Sequence, residues 1–146
     1  MGESIREQIR RNTVALISLA VAITSLSYAT WRNEVTEDNR NVRVAGFAVI
    51  ERLASLDEVT LFARFSGKDA TPAMLEMGRK EGWVHVIALR DLCYTMPEPV
   101  QRSADDLHAA WQEHSEALRS ADGYAAVNAA IEEVRSNTIA SLRALD

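Results

Sequence analysis

The sequence predicts an all-α protein: a single N-terminal transmembrane helix that continues into a stalk and an antiparallel bundle of about four helices. Three observations predict it. Residues 13–31, TVALISLAVAITSLSYATW, carry no charged side chain, and at about 1.5 Å rise per residue a helix of that length just crosses a hydrocarbon layer of roughly 30 Å. Only 3 Pro and 6 Gly interrupt a chain of 146 residues rich in Ala, Leu, Glu and Arg, a composition that favours helix over sheet. Beyond the span, apolar residues recur at spacings of three, four and seven, the period of helices with one buried face.

A tail and span of about thirty residues leave enough chain for one compact domain and too little for two. From Arg32 to Asp146 there are 13 Lys and Arg against 19 Asp and Glu, a net of −6 that is the wrong sign for a polyanion-binding surface. Nucleic acid is therefore not an expected partner. The single cysteine, Cys93, makes no intramolecular disulfide, so packing must hold the domain together.

Residues 1–12 form a short basic tail in which Gly2 lacks the Ser or Thr that a myristoylation signal needs, since Arg6 stands there. Residues 13–31 read as a signal-anchor, with Arg10, Arg11, Tyr28, Trp31 and Arg32 at the membrane interfaces. Cleavage as a signal peptide is the alternative, because the small residues Ser25 and Ser27 precede Tyr28; the apolar run is longer than the usual ~7–15-residue signal core and favours retention. Ser18, Ala22, Ser25 and Ala29 recur at spacings of four, three and four, a stripe of small side chains against which another span can pack closely. Arg10 and Arg11 abut the span, whereas Arg40 and Arg43 lie farther from it. That favours a cytoplasmic tail and an extracytoplasmic domain at a bacterial plasma membrane, with a cytoplasmic domain as the alternative.

Residues 32–43 are polar and free of Pro and Gly, as a stalk would be, and Val35, Val42, Val49 and Leu56 keep a seven-residue period with Leu53 beside them. Phe47, Ile50, Leu61, Phe62 and Phe65 widen that stripe, which predicts entry into the bundle between Val44 and Phe65. Gly67 is placed to cap this helix, and no phosphate loop surrounds it. Thr71-Pro72 opens a second helix that runs towards Met96, with Gly78 and Gly82 set to kink it, split it or admit a close crossing. Ser103 to Asp106 resembles a capping box for a third helix carrying Leu107, Ala110, Trp111, Ala117, Leu118 and His114 on one face. Asp122-Gly123 reads as a turn before a last helix striped by Tyr124, Val127, Ile131, Val134, Thr138, Leu142 and Leu145.

Chemistry is sparse. Asp105 with His108, Glu81 with His85, and the pair Glu132-Glu133 permit an interhelical metal site to be drawn, but the Glu-x-x-His pairs of a di-iron bundle are missing. His85 and His108 are expected on the surface and His114 at the core edge. Cys93 lies in an apolar run without an activating base and is expected in the core. No catalytic residue, metal or cofactor is assigned. Trp83, Trp111 and Tyr124 are the candidate lining of an apolar ligand pocket.

The function expected from these residues is non-enzymatic: an accessory or scaffold subunit of a membrane complex, acting through helix association in the bilayer as a homo-oligomer or with a membrane-protein partner. A ligand-binding or sensor bundle that signals through a partner is the second reading, and a bundle metalloprotein the third.

Overall fold

The computed structural model describes residues 12–145 and is helical throughout, with no strand among them. Helix α1 is Thr13–Phe65, α2 Pro72–Cys93, α3 Glu98–His114 and α4 Ala121–Arg143, with a 3-10 turn at Ser115–Ala117 between α3 and α4. The chain divides into two compact units, one up to Asn39 and one from Arg40 onwards.

In the first unit the apolar part of α1 is long enough to cross a membrane, and none of its residues is buried against protein. Thr24 and Thr30 donate their hydroxyls to the carbonyls of Ala20 and Leu26 at 2.9 and 3.0 Å, so these polar side chains are satisfied within the helix itself. The rings of Tyr28 and Trp31 lie 6.0 Å apart, which gathers the two amphipathic aromatics at one level of the helix. Arg10 and Arg11 lie outside the described residues.

In the second unit, four helices surround one core. Val49, Leu53, Leu56 and Val59 of α1 meet Val86, Leu89 and Cys93 of α2, Val100, Leu107 and Trp111 of α3, and Val127, Ile131 and Val134 of α4. Interhelical pairs tie each of these neighbours together, and those between α1 and α4 fix an antiparallel course. Between α1 and α4, Arg43 reaches the Leu145 carbonyl at 3.3 Å, Asp57 pairs with Arg135, and Phe65 meets Tyr124 edge-on at 5.7 Å. Between α1 and α2, Arg52 reaches His85 at 3.4 Å; between α2 and α3, the rings of Trp83 and His108 are 5.4 Å apart.

The heptad stripe enters this core as spacing predicts, with Val49 and Leu56 fully buried and Val42 packed on the edge. The widened arc does not. Phe47, Leu61, Phe62 and Phe65 are between 41% and 67% exposed, because three facing helices cover only the face of α1 centred on Leu53.

The helix ends show why some boundaries differ from those the sequence predicts. Thr71 caps α2 by accepting from the Met74 amide at 3.3 Å, and Pro72 fills the first turn. Helix α2 ends at Cys93 rather than near Met96, and Gln101 donates to the carbonyls of Met96 and Tyr94, satisfying acceptors that the helix end leaves over. The capping box is a correction: α3 already begins at Glu98, and Ser103 is buried inside it with its hydroxyl on the Val100 carbonyl at 3.0 Å. Pro97 and Pro99 start this helix because a first turn needs no amide donors and favours the proline φ. Asp122-Gly123 is likewise the first turn of α4 rather than a separate turn, since Ser120 caps the helix by accepting from the Gly123 amide at 3.0 Å. Gly67 does take the left-handed conformation, φ 60°, that closes α1, and its carbonyl accepts from Arg119 at 2.7 Å.

Candidate functional site

The three aromatics proposed for a pocket occupy three separate environments. Trp111 is fully buried in the core, where its ring fills the space beside the bare backbone of Gly82. Trp83 is half-buried against His108, and Tyr124 half-buried against Phe65. Each is accounted for by its packing partner, and the three do not share a cavity.

One concave feature of the bundle is a groove between α1 and α2. Ser55, Glu58, Val59 and Phe62 on α1 face Met74, Met77, Gly78, Glu81 and His85 on α2, enclosing about 440 Å3. Both sets follow the i, i+3, i+4, i+7 spacing that puts side chains on one helix face. Gly78 has no side chain to fill the space, and a Cβ built there would meet only Val59, at 3.8 Å. Val59 forms the floor at 9% exposure, whereas Phe62, Met74 and Met77 stand 41%, 46% and 71% exposed. These three are large apolar side chains beyond the reach of the core. The sequence signal was present in the paired spacings, but Gly78 read equally well as a kink or a close helix crossing.

One end of the groove is electrostatically organised. The Arg52 guanidinium, always a donor, lies 3.4 Å from His85 Nδ1, so that nitrogen accepts and Nε2 carries the proton, 3.9 Å from a Glu81 carboxylate oxygen. His85 is buried, correcting the surface placement expected from its sequence context, because it lies between α2 and α1 with Arg52 of α1 against its ring. Burial first, and the Arg52 charge second, push its pKa below the ordinary histidine value, against the opposing pull of Glu81. The unfolded chain therefore binds a proton more readily than the folded one. Stability is expected to fall as pH drops from about 7.5 through the ordinary histidine range near 6.5. A thermal melt series should show that fall, and His85→Gln should flatten the part of the profile between pH 7 and 5.

Cys93 is fully buried, and burial pushes its thiol pKa up to about 11. At pH 8 almost none of it is thiolate, the reactive form. Thiol reagents are accordingly expected to leave the folded protein unlabelled and to modify Cys93 at once in denaturant, read by mass spectrometry. Asp105, His108, Glu132 and Glu133 are not gathered, and no group of three or more His, Cys, Asp or Glu converges among the described residues.

In the first unit, Ser18, Ala22, Ser25 and Ala29 are all exposed along α1. Unlike Thr24 and Thr30, the Ser18 and Ser25 hydroxyls make no hydrogen bond among the described residues. Against these surfaces, no protein-family model, no curated protein and no solved structure matches the chain.

Proposed function

We propose that this protein is a non-enzymatic, single-span accessory subunit of a membrane complex: its span associates with other spans while its helical bundle presents a binding face. One observation carries the reading. The large apolar side chains left outside the core run along the span, from Val14 to Trp31, and recur on α1 and α2 of the bundle, three of them, Phe62, Met74 and Met77, in the groove. Large exposed apolar side chains in such number mark surfaces that meet lipid or other proteins.

In the span, the face bearing Ser18, Ala22, Ser25 and Ala29 permits close backbone approach and offers two hydroxyls that an apolar medium leaves in want of partners. Arg10 and Arg11 beside the span favour a cytoplasmic N-terminus and an extracytoplasmic bundle at a bacterial inner membrane. Tyr28, Trp31 and Arg32 would mark the far interface.

The test is purification of the full-length protein in mild detergent, with light scattering for mass and mass spectrometry for co-eluting proteins. A defined oligomer or a stoichiometric partner supports the reading; a bare monomer overturns it. Ser18→Leu with Ala22→Leu is expected to weaken that association at least several-fold, since each small contact is replaced by a bulky one, and to leave the melting transition of the bundle unchanged. Unaltered association in the double variant would remove the small-residue face from the account.

A further inference from the structure

The groove between α1 and α2 has a chemical character that specifies a partner. Its floor and walls are Val59, Phe62, Met74 and Met77, and its two flanks carry the carboxylates of Glu58 on α1 and Glu81 on α2. No Lys or Arg is among its lining residues, and the one cation at its end, Arg52, is engaged with the His85 ring. The cations of α2 that come nearest in sequence are already engaged: Arg79 bonds Glu76 at 2.7 Å and Glu116 at 2.6 Å, and Lys80 lies 3.6 Å from Glu76. Glu58 has no ion-pair partner among the described residues, and the histidine beside Glu81 is held neutral at pH 7 by burial and by Arg52. Neither carboxylate is paired with a Lys or Arg among the described residues.

The shape sets the occupant's form. From Met74 to His85 the α2 wall spans twelve residues, roughly 16 Å, which matches about three turns of a helix laid along the groove. Two methionines and one phenylalanine make an adaptable apolar surface, because thioether side chains repack around different partners at little cost. An apolar floor between acidic flanks is complementary to a helix with one apolar face and basic residues on both of its sides.

We propose that the α1–α2 groove is the docking site for a cationic amphipathic helix of a partner protein, with Phe62, Met74 and Met77 receiving its apolar face and Glu58 and Glu81 pairing with its Lys or Arg residues. This deepens the accessory-subunit reading by naming the class of partner the bundle holds.

The test uses the full-length protein in phosphatidylcholine nanodiscs, with empty discs as the lipid background. The probe is a fluorescent amphipathic peptide of about fourteen residues, leucine on one face and lysine on the other, carrying a benzophenone on its apolar face. Saturable binding above the empty-disc level is expected, with crosslinks mapping to the segments around Phe62 and Met77. Glu58→Lys with Glu81→Lys should lower the affinity roughly tenfold or more and remove most of its salt dependence. Gly78→Leu, which fills the groove from a position with open space, should abolish binding with the circular dichroism spectrum unchanged.

Absence of saturable binding would overturn the proposal, as would crosslinks outside α1 and α2. So would equal affinity for a peptide with glutamine in place of lysine, since the groove would then take any apolar amphiphile. Failure here while the purified protein still shows an oligomer or partner would remove the groove and leave the accessory-subunit reading intact. Peptide binding by a chain that is otherwise a bare monomer would do the reverse.

Discussion

Gly82→Ala is expected to destabilise the bundle by about 1–3 kcal/mol or more, while Gly78→Ala, one helical turn earlier, is expected to stabilise it by about 0.5–1 kcal/mol. Both glycines sit within α2, where alanine is the better helix former by up to about 1 kcal/mol. What separates them is the space beyond the Cα atom. A Cβ at Gly82 would lie 2.0 Å from Cζ2 and 2.3 Å from Cη2 of Trp111, inside the ring's van der Waals envelope. The indole is fully buried and wedged among core side chains, so it has no route aside. At Gly78 the same Cβ would face the groove, with its nearest neighbour at ordinary contact distance, and the propensity gain would survive. Urea titrations of the two variants in the same detergent should move the midpoint in opposite directions. Midpoints moving the same way would show that the indole does not rest on the α2 backbone.

Trp111→Ala is expected to cost about 3–5 kcal/mol, the range for removing a large aromatic from a closed core. Trp111 is the largest fully buried side chain of the bundle and bridges α3 to α2. In a domain whose total stability is of order 5–15 kcal/mol, that loss leaves a substantial unfolded fraction. Trp111→Phe should cost much less. Trp111 Nε1 is buried without a hydrogen-bond partner, so phenylalanine loses contact area but also removes an unsatisfied donor that costs about 1–3 kcal/mol to bury. The ratio of the two effects, from denaturant midpoints, measures how far the orphaned N–H offsets the packing of the ring. Combining Gly82→Ala with Trp111→Phe should be less damaging than the separate effects predict, since the smaller ring vacates the space the new Cβ needs.

Much of the fold was legible because it rests on one-dimensional patterns. The uncharged run 13–31, the Thr71-Pro72 start of α2, the Gly67 end of α1 and the stripe from Val127 to Thr138 each follow from local chemistry, and each is where the spacing puts it. The misplaced starts of α3 and α4 have a common cause. Ser103-Asp106 and Asp122-Gly123 fit a boundary motif, but Pro97 and Ser120 fit one a few residues earlier, and the helix takes the earliest workable start so as to bury more of its face.

The candidate sites were less legible, for a different reason. Trp83, Trp111 and Tyr124 share an apolar aromatic character, which cannot say that one ring lies on a glycine, another on His108 and the third on Phe65. Whether Phe62 lies in the core or on a groove wall depends on how far α2 and α4 reach around α1, a quantity no spacing along α1 contains. His85 shows the same limit, since its burial depends on Arg52 of another helix.

By itself, then, the sequence determined the helical class, the apolar helix able to cross a membrane and the approximate course of the four helices, because hydrophobic period and capping chemistry act over a few neighbouring residues. Only the tertiary structure decided which apolar faces the core consumes and which remain as a groove between acidic flanks, because burial is a property of facing helices and of the volume between them.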